Sequence, residues 1–430
     1  MRRSTRVILI VLVMILAIGL IGCNADTAKT TGSVETTDAD QTTQEGTVEE
    51  STEGETLSPE EQILQDRRDI AEAYMRSAVS LLWRASEDID YQTGRDIVSI
   101  KAGRLYEGIL YTYAAGTMTS FLEYAGEPDE KGIYTISNLS LDAISGSGSE
   151  ARIGSDCSST VLVAWSLVSP SVTARHSKTL CEDYGCIKVG NYTANPSTTE
   201  GSVVTAMDNG KDVMAEAYAQ MQKADALVFC DVGGSNHTMM VVDVSVVYGK
   251  DGKIDPKKSV ATVLEQTSTL VKSGSTYEHE TLGETVYRIG VIDQKYTFNM
   301  LYDKGYLPYT CKEFIDPSTI EEPYVTDSES TYGLDNLLVG TISSNWKMDA
   351  VTVTIKDAAG NIVQEATGRT VRHVNSSREF KLQQFVTDPA GAILGKIDPN
   401  ALAAGQYKCT VVCRLNGGRE FVVRDFEFTK

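Results

Sequence analysis

Histidine is scarce in this chain, with four among 430 residues. Four scattered imidazoles give no second ligand set for a metal, and none of the cysteine spacings is a zinc signature. Clustered basic residues are missing too. The formal net charge is −20, whereas contacts to nucleic-acid phosphates need grouped Lys and Arg. Neither G-x-x-x-x-G-K-[ST] nor G-x-G-x-x-G occurs, which removes the common nucleotide cradles. The expectation is therefore no metal, no cofactor and no nucleic-acid partner. The acidic balance argues for solubility rather than for attraction to an anionic polymer.

What is present begins at the N-terminus. Arg2, Arg3 and Arg6 precede an uncharged apolar run from Val7 to Gly22, and Cys23 follows. A basic start leading into a short apolar stretch makes a signal peptide. Leu20-Ile21-Gly22-Cys23 resembles a bacterial lipobox. That implies removal of residues 1–22 and a lipid anchor on Cys23. Asn24 to Ser58 holds nine acidic residues, one lysine and few apolar side chains. Such a segment repels itself and stays extended, so 23–58 reads as a tether. The expected location is the extracytoplasmic face of a bacterial cell membrane, with the folded part held off the lipid.

The chemistry concentrates in three segments. Gly154-Ser155-Asp156-Cys157-Ser158-Ser159 stands just ahead of an apolar run from Val161 to Val168. Asp and Ser cap helix starts, and a cysteine in the first turn has its thiolate favoured by the helix dipole. The second segment is a buried strand ending at Cys230, a turn, and a long β-rich run that opens with Asn236-His237. The other histidines, His176, His279 and His373, lie in polar stretches. A thiol at a helix start and a distant His opening a strand are what a Cys-His nucleophile pair requires. The third segment, Ser259 to Thr267, is a strand-like run that carries Glu265 and Gln266. A carboxylate or an amide there can hold the imidazole in its useful tautomer.

Taken in order, G-x-D-C-S-S, A-D-A-L-V-F, N-H-T-M-M-V-V-D-V and T-V-L-E-Q resemble the motifs of NlpC-like and CHAP cell-wall hydrolases, which are papain-fold cysteine peptidases and amidases. The resemblance spans roughly residues 70–315. It implies Cys157 as nucleophile, His237 as general base and Glu265 as the residue orienting the His, with Gln266 as the other choice. The Y-E-G-I-L-Y at 106–111 is similar to the family's G-x-P-Y, which implies that Tyr111 lines the site and helps an oxyanion hole. Asp156 and Gln266 join it as candidates for substrate or oxyanion contact. Ser159 stands where the family has Gly after D-C-S, and Asn236 where a Gly often precedes the His. The implied partner is peptidoglycan or another cell-wall peptide, met by a monomer.

Ser58-Pro59-Glu60-Glu61 starts a helix with proline in its first turn and a capping glutamate. Its apolar face should run from Ile63 through Ile70, Tyr74 and Ala78 to about Ala85, with Arg67 and Arg68 in solvent. Further helices are expected near 117–124, 157–168 and 211–222, with strands dominating from Ala226. Helices first and an antiparallel sheet after give an α+β domain over 59–316. Residues 317–336 read as a polar linker. From 337 to 430, short alternating strands suggest an all-β sandwich similar to bacterial immunoglobulin-like modules. Cys181 and Cys186 are close enough in sequence for a local bridge, while Cys409 and Cys413 share a strand face. The expected function is an envelope-anchored thiol hydrolase that cleaves an amide of peptidoglycan stem peptides. The alternative is a non-catalytic lipoprotein that uses the same fold to bind wall peptides or a protein partner.

Overall fold

The first described helix begins where its capping residues predict. Ser58 N donates to Glu61 Oε2 at 2.8 Å and Glu61 N to Ser58 Oγ at 3.3 Å, a reciprocal cap. The computed structural model describes residues 57–430 apart from 94–95, 114–115, 138–152, 173–175, 182–183, 195–200, 232–233, 235, 370–377 and 388–392. The apolar run, Cys23, most of the tether and His373 lie outside the described residues. The chain divides at Gln62, and residues 63–430 make one compact unit.

The helix spans Pro59–Ser80 and buries Arg68, Ala71, Tyr74, Met75, Ala78 and Val79. Its apolar stripe is thus centred on Ala71, Met75 and Ala78. Ile63 and Ile70, expected on that face, are exposed. Arg68, expected in solvent, turns inward to Asp225, which immediately precedes the Ala226–Cys230 strand. The helix also stops short of Ala85. Residues 82–85 leave it because Trp83 and Ala85 alternate with Leu82 and Arg84, and this period of two fits a sheet. Trp83 is fully buried, donates to Gly108 O at 2.8 Å and stacks on Tyr106.

Strands β1 (Leu82–Ala85), β2 (Ile89–Thr93), β3 (Asp96–Ile100), β4 (Leu105–Glu107) and β5 (Tyr134–Ile136) come first. They are followed by β6 (Cys186–Lys188), β7 (Ala226–Cys230), β8 (Asn236–Ser245) and β9 (Val260–Gln266). Next in the chain are β10 (Thr276–His279), β11 (Glu284–Arg288), β12 (Gly290–Thr297) and β13 (Leu307–Cys311). Helices Met118–Leu122, Cys157–Ser166, Gly201–Asn209 and Lys211–Ala219 lie between them. The Gly201–Asn209 helix has no counterpart in the sequence reading. Two larger sheets result. One has the order β10-β11-β4-β1-β5, in which β11 runs parallel to β4 and β1 parallel to β5. The other, β12-β9-β8-β7-β13-β6, is antiparallel throughout. A single large apolar core joins both sheets to the Pro59–Ser80 and Cys157–Ser166 helices. The architecture is α+β.

Strand β14 (Val325–Asp327) lies within the stretch whose composition suggests a linker. It pairs with β15 (Thr341–Ser344). The remaining strands are β16 (Met348–Asp357), β17 (Ile362–Arg369), β18 (Glu379–Lys381), β19 (Ile393–Gly395), β20 (Gln406–Leu415) and β21 (Glu420–Thr429). They form a three-stranded sheet, β14-β15-β18, and a five-stranded one, β19-β17-β16-β20-β21, around a second core. Arg424, almost fully buried on β21, grips Asp327 with Nε at 2.6 Å and Nη2 at 2.9 Å. That bidentate pair explains why an apparently polar linker is built into the sheet.

Between the two cores the contacts are polar. Asp349 on β16 takes Arg414 Nε at 2.7 Å and Thr117 Oγ1 at 3.1 Å. Glu123 takes Arg414 Nη2 at 3.1 Å and also pairs with Arg369. Burial, with the Arg414 charge, brings the Arg369 guanidinium down to about 9. Asn416 donates to Ser166 Oγ at 2.7 Å, at the end of the Cys157–Ser166 helix.

The cysteines are arranged differently from their spacing. Cys181 Sγ lies 3.9 Å from Cys230 Sγ. Cys186 instead stands opposite Cys311 in the β6–β13 ladder. Cys409 and Cys413 are both buried on β20 in the second core.

Candidate functional site: Cys157, His237 and Glu265

The site starts from a glycine. Gly154 has φ +86°, and a Cβ there would lie 2.3 Å from Leu110 O, so no other residue fits without movement. This close approach lays Ser155 beside Tyr111 in a parallel bridge. Ser155 N bonds Leu110 O at 3.0 Å, and Thr112 N bonds Ser155 O at 3.3 Å. Asp156 then caps the helix. Its Oδ1 accepts from Ser159 N at 2.6 Å and from Ser158 Oγ at 2.9 Å, while its carbonyl takes Thr160 N and Oγ1. Oδ1 of the Asp156 carboxylate is thus engaged in the helix start. Cys157 is the first helical residue. The helix is buried along its length and packs on β8 and β9.

The sheet brings the other two residues. Met240 on β8 faces Leu264 on β9, and Val241 faces Val263. Alternation from those pairs puts His237 and Glu265 on one face, diagonally offset and within side-chain reach. His237 Nε2 meets Glu265 Oε2 at 2.5 Å. Tyr296 donates to the other carboxylate oxygen, Oε1, at 3.2 Å. Gln266, one residue on, belongs to the opposite face. It is fully buried, and its Nε2 donates to Ile109 O at 2.5 Å. Gln266 therefore braces the segment leading to Tyr111 and does not touch the imidazole. Of the two residues that the sequence left open, Glu265 is the one that meets His237.

With Nε2 taken by Glu265, Nδ1 is the ring nitrogen left for the thiol. The Cys157 side chain is near enough to act on the His237 charge. Burial alone would depress the His237 pKa. Cys157 and Glu265 outweigh it and hold the imidazolium up to about 10. Tyr111, bridged to Ser155, is near enough for the Cys157 charge to act on it. Burial, with the Cys157 and Asp156 charges, pushes its phenol far above the ordinary range, so it stays a hydroxyl donor. Tyr306 covers the imidazole edge-on at 6.5 Å between ring centres. Burial and the Glu265 charge push its phenol up in the same way.

The remaining described histidines have other work. His176 caps the Ser177–Leu180 helix, with its Nδ1 accepting from Thr179 N. His279 stacks on Tyr277 and accepts from Leu282 N. Sequence reasoning missed Tyr296 and Tyr306. Nothing local marks Tyr306, which follows the helix-ending Gly305 in a run of ordinary tyrosines and apolar residues. Tyr296 depends on a strand irregularity that periodicity does not show. Tyr106 and Tyr192 are buried in the core, and Tyr184 is exposed.

No family model matches the chain, and no curated protein matches it. Among solved structures, a tetra-tandem repeat in the extending region of a large adhesion protein is similar at 16% identity and a TM-score of 0.16. That likeness covers 48% of this chain and 40% of the other, and at such a TM-score it fixes neither fold nor function.

Proposed function

We propose that the chain is a thiol hydrolase of the cell envelope, built on a papain-like domain, which cleaves an amide bond in peptidoglycan stem peptides. One observation carries this reading: His237 Nε2 is paired with the Glu265 carboxylate, and Cys157, at the start of a buried helix packed on the same sheet, is near enough to act on the imidazole charge. A helix carrying the thiol and packed on an antiparallel sheet carrying the His is the arrangement of that fold. The wall substrate and the lipid anchor rest on the motif order and on Cys23. The two C-terminal sheets serve in this reading as an immunoglobulin-like appendage.

The chemistry follows from the atoms. Cys157 gives its proton to His237 Nδ1, and the helix start and the imidazolium stabilise the thiolate. The sulfur attacks the amide carbonyl. The carbonyl oxygen gains negative charge, and the Cys157 backbone N–H and the Tyr111 hydroxyl are the donors beside it. The C–N bond breaks as the imidazolium proton passes to the leaving amine, and a thioester remains. Water then loses a proton to His237 and attacks the thioester. The acid product and the thiol are released, with the His237 proton returning to sulfur. Glu265 keeps the ring oriented and balances its charge throughout.

The test is digestion of purified wall, with identification of newly exposed amine ends, by wild-type protein and by Cys157→Ala. Wild type should release new amines, and the variant should lose several orders of magnitude in rate with its fold intact. Equal digestion by both would remove Cys157 as nucleophile. Wall binding without digestion by either would leave the fold as a binding shell.

A further inference from the structure

Strand β12 carries one residue more than its partner. Val291 pairs with Glu265, but the next pair is Gln294 with Val263, so three steps on β12 match two on β9. The extra residue is accommodated at Asp293, which adopts φ +54°. A one-residue bulge exchanges the two faces of the strand beyond it. Without the bulge, Val291, Asp293 and Lys295 would share the face of Glu265, and Tyr296 would turn away. With it, Tyr296 pairs with Ala261 and joins the face of Ala261, Val263 and Glu265. The bulge is also anchored. Arg76, on the long N-terminal helix, holds both Asp293 oxygens, with Nη1 at 3.1 Å and Nη2 at 2.9 Å.

We infer that Tyr296 is a positioning residue, placed by the Asp293 bulge to hold Glu265 through Oε1 so that Oε2 stays on His237 Nε2. This rests on the thiol-hydrolase reading above. A carboxylate on a strand can rotate about its last bond. A fixed donor on one oxygen removes that freedom and leaves the second oxygen aimed at the ring. The Lys304 ammonium lies 5.1 Å over the Tyr296 ring and helps to hold it.

The experiment follows iodoacetamide labelling of the Cys157 peptide by mass spectrometry from pH 5 to 11. It compares the full-length protein with Tyr296→Phe, Glu265→Gln and the double variant. Phe keeps the ring and removes only the hydroxyl, and thermal melts of all four check the fold. Wild type should label readily near pH 6, as an activated nucleophile does. Tyr296→Phe should label roughly three- to ten-fold more slowly near pH 6, as expected for the loss of one hydrogen bond of ordinary strength that acts through Glu265. The double variant should be no slower than Glu265→Gln alone, because Tyr296 acts only through Glu265. An activated wild-type thiol with Tyr296→Phe unchanged, or effects that simply add, would overturn the role of Tyr296. A wild-type thiol that labels like an ordinary one would instead overturn the reading of Cys157 itself.

Discussion

Arg68 Nη1 lies 2.8 Å from Asp225 Oδ1, with both side chains almost wholly removed from water. The same guanidinium donates to the carbonyls of Lys223 and Phe314 and covers the Phe314 ring. Asp225 also accepts from Gln222 N at 2.7 Å. Burial pushes the Asp225 carboxyl up, and the Arg68 charge works against that shift. The pair ties the N-terminal helix to the start of β7, the strand that pairs with the His237 strand.

Removing one partner leaves the other charge buried and alone. Asp225→Ala should therefore cost about 3–5 kcal/mol of stability. Denaturant midpoints measure it. The double change Arg68→Met with Asp225→Ala should recover part of that loss, because no orphan charge remains. A double variant less stable than the single would show that Arg68 contributes mainly through its carbonyl contacts.

The imidazole makes a prediction about pH. The His237 pKa is held up to about 10 against an ordinary value of 6.5. A group raised on folding contributes fully below its unfolded value and loses that contribution as pH rises through the folded one. The stability difference between wild type and His237→Asn should thus shrink from pH 6.5 towards 10. Glu265→Gln removes one of the charges that raise the pKa and should move this decline to lower pH. Thermal melts across the window test both, and a difference that widened with pH would reverse the sign of the coupling.

Gly154 predicts a backbone effect on the thiol. Its φ of +86° alone disfavours any side chain by about 1–2 kcal/mol, and a Cβ would lie 2.3 Å from Leu110 O. Gly154→Ala should be destabilising beyond that figure and should slow alkylation of Cys157, since the helix start must shift. Unchanged melting and labelling would mean that the turn relaxes freely and does not place the cysteine.

The polar seam between the two cores supplies another comparison. Asp349 is buried and neutralises Arg414, so Asp349→Ala should cost about 2 kcal/mol or more. Lys408 and Asp425 pair at 2.9 Å on the open face of the C-terminal sheet, with nearly half of each side chain in water. Lys408→Ala should cost well under about 1 kcal/mol. Urea unfolding of the two variants side by side checks the contrast, and equal costs would show that the seam is not desolvated.

The readable parts of this sequence were those where local chemistry and tertiary need agree. Asp156 capping Cys157, and the alternation that sets His237 at the head of β8, are written in neighbouring residues. Glu265 and Gln266 could not be separated in that way. Which of them faces the imidazole depends on strand parity across β8 and β9, and parity is settled by pairing. Arg68 looked like a solvated charge, because its partner Asp225 is distant in the chain. Leu82 to Ala85 continued a helical pattern that four residues cannot distinguish from a strand. The 317–336 stretch looked like a spacer because its apolar residues are few, yet Asp327 is held by a buried arginine far downstream. Tyr296 was hidden by the extra residue at Asp293, which shifts every later side chain to the other face.

The sheet that joins β11 to β4 has a consequence for when the protein can fold. Leu105 pairs with Val286 and Glu107 with Arg288. The early strands thus wait for a segment made much later, and closing so long a loop is entropically slow. A chain emerging in sequence order holds β1, β4 and β5 as an unfinished edge until β11 arrives. Assembly of the sheet therefore waits until β11 has been made, and a chain truncated before residue 284 would lack the strand that joins β10 to β4.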